Sequence, residues 1–169
     1  MAVALACAAG LFGADVGTKT WAEYELRRQG QRSLFGGSVV LRYQTNSGMA
    51  FGIARAPIVH WKRHALIAYA TAVTAGVLLV LGRRLADPNV GRHTAAGLVA
   101  ILAGAAGNLR DRIMRGGVID FIDIQPPGGV PWPAFNLADL YLAVGLVLCC
   151  LGLWRAYRRF VKEPAAPST

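Results

Sequence analysis

Acid is scarce in this sequence. Asp and Glu total nine against eighteen Lys and Arg, a formal net charge of +9 in 169 residues. Charge of either sign is scarce too, at 16% of residues, where an average soluble domain carries about 25%. With 54% of the chain hydrophobic and a mean hydropathy of +0.40, that deficit excludes an ordinary water-exposed globule. Cysteine is down to three, Cys7, Cys149 and Cys150, all inside apolar runs. Neighbours on one helix do not bridge easily, and no zinc spacing exists. The three histidines, His60, His64 and His93, stand at segment ends. Neither a metal centre nor a Ser–His or Cys–His nucleophile set is present, and no cofactor is implied. The basic residues flank apolar runs instead of interleaving with aromatics. They fit topology signals and lipid headgroups, not nucleic acid.

What is present is apolar length. A bilayer-crossing helix needs roughly 20 mostly apolar residues. Residues 65–82 carry no charge, 94–109 are equally clean before Arg110, and 140–154 are charge-free with 134–139 available to extend them. The N-terminal run is apolar to Ala14 and then meets Asp15; the absence of a basic lead in Met1–Ala6 argues for a first span over a signal peptide. The expected fold is a single membrane domain, all-α, with four spans at about 2–21, 65–82, 94–112 and 135–155. Arg83, Arg84 and Arg92 in one short loop, and Arg155, Arg158, Arg159 and Lys162 after the last span, place that loop and both termini in the cytoplasm. The segment of about 22–64 is then extracytoplasmic despite Arg27, Arg28, Arg32 and Arg42. Within it, 38–46 alternates, with Val39, Leu41 and Tyr43 on one face and Arg42 and Gln44 on the other, after a Gly36-Gly37 turn; this reads as a strand or hairpin on the membrane. The tail of about 163–169 reads as disordered.

Polar groups near the bilayer are expensive, so they mark function. Asn108, Asp111 and Arg112 share a helix face at the end of the third span. Asp120 is flanked by apolar residues, and burial raises a carboxyl pKa; Asp123, nearer the Pro126-Pro127-Gly128-Gly129 turn, is expected to be solvated. Asn136 reads as a helix cap, and Asp139 lies one turn further on the same face. Asp120 and Asp139 thus approach one site from the two sides of a short loop. Two such carboxylates share a proton, which suits acid–base hydrolysis by activated water. A proton-coupled carrier would also use intramembrane acids, but it predicts inverted repeats that are absent. A metal-dependent phosphotransferase would want a denser acidic cluster. Small residues at Ala100/Gly104 and Ala103/Gly107 permit close helix packing.

Five blocks in order along nearly the whole chain resemble the bacterial lipoprotein signal peptidases, also called signal peptidase II. They are Asp15-Val16-Gly17-Thr18-Lys19, Asn46-Ser47-Gly48-Met49-Ala50-Phe51, Gly104-Ala105-Ala106-Gly107-Asn108-Leu109-Arg110-Asp111-Arg112, Val118-Ile119-Asp120-Phe121 and Phe135-Asn136-Leu137-Ala138-Asp139. The resemblance implies an aspartyl endopeptidase of the bacterial cytoplasmic (inner) membrane, with its site near the extracytoplasmic face. The implied substrate is a diacylglyceryl-modified prolipoprotein, cut before the lipidated cysteine. Asp120 and Asp139 would be catalytic. Asn46, Asn108, Arg112 and Asn136 would line the substrate site, where globomycin-type cyclic peptides bind. Asp15, Lys19 and Asp111 would support the fold and the site. A strand-rich cradle would span roughly 33–51, with a short helix before the second span. Family members often carry a basic lead before the first span, which Met1–Ala6 lacks. Phe51 and Trp132 are the expected interfacial aromatics.

Overall fold

A computed structural model describes residues 2–47, 60–85 and 91–162. The short helix and Phe51 expected before the second span, and the tail of 163–169, lie outside the described residues.

Four long helices dominate. Helix α1, Ala2–Trp21, runs on through a π-helical turn, Ala22–Leu26, and a last turn α2, Arg27–Gln29. It is therefore longer than the expected 2–21. Asp15 does not interrupt it, because its carboxylate is neutralised within the bundle. Helix α3 is His60–Leu85, α4 is Arg92–Arg115 and α5 is Leu137–Lys162. Among the described residues, three segments are long and apolar enough to cross a membrane: Ala2–Gln29, His64–Arg84 and Leu137–Arg159. Large apolar side chains on them, such as Leu79, Val147 and Leu153, are exposed, as lipid-facing residues must be.

Helix α4 is the exception, because it is the centre of the bundle. Its face of Leu98, Val99, Ala100, Leu102, Ala103 and Ala105 is buried, and it contacts α1, α3 and α5. Small residues let α5 approach closely. A Cβ added to Gly104 would lie 2.5 Å from the Ala138 carbonyl, and one on Gly97 would lie 2.6 Å from the Gly145 carbonyl. Gly104 and Gly107 of the two expected small-residue pairs thus face neighbouring helices, with Gly97 and Gly145 extending the seam. Gly116, at φ 78°, ends α4 in the left-handed conformation that glycine adopts without penalty, donating its N–H to the Arg112 carbonyl at 3.2 Å.

The loop after α4 departs from expectation. It contains a strand, β3, Val118–Ile124, which joins β1, Arg32–Leu34, and β2, Val39–Asn46, in an antiparallel sheet of order β1-β2-β3. The cradle is therefore not built only between the first two spans. Pairing runs Val39↔Ile124 to Leu41↔Ile122 and then Gln44↔Asp120 to Asn46↔Val118, with a bulge on β2 between. Leu41 and Tyr43 share a face, as the alternation in the sequence reads, and pack on the cluster of Ala22, Leu26, Ile119 and Phe121, while Val40 is buried as well and the bulge shifts the register before Gln44. That cluster seats the sheet on the end of α1, where Trp21 meets Phe121 edge-on at 6.3 Å.

Candidate active site

Alternation along β3 divides its side chains. Ile119 and Phe121 enter the cluster under the sheet. Val118 and Asp120 line a cavity between the sheet and helices α3, α4 and α5. After the Pro126–Gly129 turn the chain returns beside β3: Phe135 N–H donates to the Ile122 carbonyl at 2.9 Å and Ile122 N–H to the Phe135 carbonyl at 2.9 Å. This return delivers Asn136 to the side of Asp120 and starts α5. Asn136 caps that helix reciprocally: its Oδ1 accepts from Asp139 N–H at 3.0 Å, and Asp139 Oδ2 accepts from Asn136 N–H at 3.3 Å. Asp139 is thereby held one turn into α5 on the same side as Asp120.

Amides, not cations, join the two carboxylates. Asp120 Oδ1 accepts from Asn136 Nδ2 at 2.7 Å and Oδ2 from Asn46 Nδ2 at 3.0 Å. Asp139 Oδ1 accepts from Asn108 Nδ2 at 2.8 Å. Asn108 Oδ1 in turn accepts from Asn136 Nδ2 at 3.3 Å and from the Lys19 ammonium at 2.9 Å. Asp120 is only 2% exposed. Burial first, and the nearby Asp139 charge second, push its pKa up to about 6, although the Asn46 and Asn136 hydrogen bonds pull it down. Asp139 is half-buried and reaches the cavity wall.

That cavity has a volume of about 250 Å³. Asn46, Asn108, Arg112, Asp120 and Asp139 make one side of it polar; Leu66, Tyr69, Ala70 and Val73 of α3, with Ala105 and Leu142, make the other apolar. Arg112 donates to the Asn108 carbonyl at 3.2 Å, leaving the rest of its guanidinium toward the cavity. A site with a proton-holding acid, a second carboxylate and an apolar wall can bind an amphipathic chain and hydrolyse a polar bond in it. Among the described residues no group of His, Cys, Asp and Glu is arranged to hold a metal ion.

A model of the family described as signal peptidase (SPase) II matches residues 7–155. The chain belongs to the signal peptidase II family. Like its relatives in that family it is a protease, and it carries membrane-spanning helices. The "Lipoprotein signal peptidase" of Oleidesulfovibrio alaskensis is 36% identical over 88% of this chain and 92% of its own. That of Nitratidesulfovibrio vulgaris is 34% identical over 90% of each. A solved structure described as a bacterial membrane enzyme, determined by the in meso method at 2.3 Å, superposes with a TM-score of 0.73 at 21% identity. It covers 100% of this chain and 95% of that one, and speaks for the fold.

A second network of the signal peptidase II chain lies directly behind the dyad. The fully buried Lys19 ammonium sits 2.9 Å from Asp15 Oδ2 and 3.1 Å from Asp111 Oδ2. Asp15 Oδ1 accepts from Ala138 N–H at 2.9 Å, and Arg115 reaches Asp111 at 2.7 Å and Glu23 at 2.8 Å. The nine residues expected at the site thus converge. Two placements differ from the sequence reading. Asn136 is fully buried behind the carboxylates. Asp123, expected to be solvated, is 1% exposed and pairs with Arg42 of β2, while Gln125 donates to it at 2.9 Å. Its partner comes from the neighbouring strand, which the local sequence could not reveal. Sequence reasoning also missed the α3 stripe Leu66, Tyr69, Ala70 and Val73, whose i, i+3, i+4, i+7 spacing was the available signal.

Proposed function

We propose that this protease removes the signal peptide from diacylglyceryl-modified prolipoproteins, cutting before the lipidated cysteine, with Asp120 and Asp139 activating water. The observation that carries this reading is the dyad itself: two carboxylates, one nearly buried and one facing the cavity, bridged by Asn108 and Asn136. Asp120 holds the proton and hydrogen-bonds the scissile carbonyl; Asp139 takes a proton from the attacking water. As the tetrahedral carbon collapses, the C–N bond breaks, Asp139 gives the proton it took from water to the leaving amine, and the carbonyl re-forms with Asp120 again holding its own proton, which restores the starting dyad. Asn46 and Asn136 orient Asp120, and Asn108 orients Asp139. Arg112 stands where it can hold a substrate carbonyl, and the apolar wall from α3 accommodates the signal-peptide side chains. The substrate's acyl chains stay in the bilayer.

We further infer four spans, α4, the third in chain order, being added to the three that are apolar enough by themselves. It needs little lipid-facing hydropathy because α1, α3 and α5 surround it. Both termini and the Arg83, Arg84 and Arg92 end are cytoplasmic, and the sheet and dyad lie at the opposite, extracytoplasmic face of the bacterial inner membrane. Globomycin-type cyclic peptides would occupy the cavity by competing for the dyad.

The test is cleavage of a diacylglyceryl-prolipoprotein by the purified protein in detergent. Wild type should cut before the lipidated cysteine, unaffected by EDTA and blocked by a globomycin-type peptide. Asp120→Asn and Asp139→Asn should be folded and inactive. Full activity in either variant overturns the dyad; a folded but inactive wild type overturns the substrate assignment.

A further inference from the structure

The extracytoplasmic placement of 22–64 conflicts with the arginines it carries, and the structure accounts for two of them. Arg42 is paired with Asp123. Arg32 lies 3.3 Å from Glu25. Arg27 and Arg28 are different: both are exposed, and among the described residues neither lies in an ion pair with a carboxylate.

These two guanidiniums are nonetheless held in place. Arg28 lies over the Tyr24 ring at 4.6 Å and Arg27 over the Tyr43 ring at 5.6 Å. The π-helical turn explains the arrangement. Ala22 and Leu26 face inward under the sheet, so Tyr24, Arg27 and Arg28 are carried to the outer side. There they line a shallow concavity of about 530 Å³ with Thr20 and Glu23. Glu23 does not neutralise it, because its carboxylate accepts from Arg115 Nε and Nη2 at 3.1 and 2.8 Å. The concavity sits where the apolar length of α1 ends, next to the half-exposed Trp21 and exposed Tyr24, side chains that belong at headgroup depth. Stacked guanidiniums keep their planar edge of N–H donors free, and that edge matches phosphate oxygens.

We propose that Arg27 and Arg28 form a binding site for the phosphate of an anionic phospholipid headgroup. The lipid anchors the end of α1, and with it the sheet that carries Asn46 and Asp120, at a fixed depth in the membrane. The positive charge of these two residues outside is thereby tolerated, because it is met by lipid. The inference needs only the membrane depth of the end of α1, not the proteolytic reaction, and it is read without any cleavage assay.

The experiment is native mass spectrometry of the full chain from detergent micelles holding equal phosphatidylglycerol and phosphatidylcholine. Wild type should retain phosphatidylglycerol preferentially. The double variant Arg27→Gln/Arg28→Gln should lose about 25-fold of that preference, at roughly fivefold per basic residue. Arg158→Gln/Arg159→Gln, which removes the same charge from the other end of the protein, should keep it. Arg27→Lys/Arg28→Lys should keep only part, because it retains charge but loses the stacked fork. Undiminished preference in the glutamine variant, equal loss in the 158/159 control, or full retention by the lysine pair overturns the site. Displacement of the lipid by an equal molar excess of inorganic phosphate makes it a free-anion site and overturns the lipid assignment.

Discussion

Asp15 and Asp111 share Lys19; Asp120 and Asp139 share asparagines. Both pairs are tied to the same turn of α4, through Asp111 in the first and Asn108 in the second. In the first pair the bridging group is an ammonium at 2.9 and 3.1 Å, so the negative charge is met by a positive one and the cluster is a lock between α1, α4 and the start of α5. In the second the bridging groups are neutral amides. They orient the carboxylates without supplying an opposite charge, and burial first, then the Asp139 charge, let Asp120 keep its proton to about pH 6. Under the proposed mechanism the ammonium-bridged pair holds helices together and the amide-bridged pair reacts. The regions also touch: Lys19 holds Asn108 Oδ1, which turns the other end of that amide toward Asp139.

The largest effect should come from neutralising the amide-bridged pair. Asp139→Asn should lower the cleavage rate about a thousandfold or more, within the range for losing a general base, while the thermal midpoint stays within a few degrees of wild type. Single-turnover cleavage and a melting curve on the same sample decide this. Large destabilisation without the rate loss would mean that the second pair is a lock like the first.

Next is the converse change. Lys19→Met strands Asp15 and takes from Asp111 its buried partner, leaving it only its arginines, and removing one partner of a buried ion pair costs about 3–5 kcal/mol. A steep drop in thermal stability is expected. The triple change Asp15→Asn/Lys19→Met/Asp111→Asn should recover much of it, because no uncompensated charge remains. Unfolding in detergent measures both; equal stability of Lys19→Met and wild type would remove the lock from the comparison.

How this contrast could be read beforehand depends on sequence distance. Three spans, the Asn136 cap and the two acids that the fold brings together were legible, because charge-free runs, Asn136 and the isolated acids are local signals. Strand β3 was not: its register is set by β2, far away in the chain, and its apolar–acid alternation looked like a loop edge. Asp123 was misplaced for the same reason, since Arg42 arrives only through that pairing. The bulge in β2 has no composition signal, and it is what shifts the strand's phase before Asn46 reaches Asp120. The π-helical turn after Trp21 was likewise silent, although it sets the outer face that carries Arg27 and Arg28.

A smaller effect concerns the proton. Burial and then the Asp139 charge raise the Asp120 pKa. The proton-holding form is present below about 6 and is lost as pH rises through that value, so the cleavage rate should decline on the alkaline side with that limb. Infrared titration of the carboxylic C=O band should give a midpoint near 6 in wild type. In Asp139→Asn the charge contribution is gone while burial stays, so the midpoint should move down but not to the ordinary 3.8. An unmoved midpoint would mean that the two carboxylates do not sense each other.

The smallest effect separates packing from positioning along the α4–α5 seam. Gly97→Ala and Gly104→Ala both push a Cβ against a backbone carbonyl, at 2.6 and 2.5 Å, and each should cost about 1–3 kcal/mol of stability by overpacking. Only Gly104 faces Ala138, the residue before Asp139. A shift of that turn displaces one carboxylate relative to the other, and small misplacements of reacting groups are costly to rate. Gly104→Ala should therefore slow cleavage about tenfold where Gly97→Ala leaves it near wild type, with kcat and not KM carrying the change. Equal rates in the two variants would mean that the start of α5 can yield without moving Asp139, and that the reciprocal cap at Asn136, not the seam, fixes the dyad.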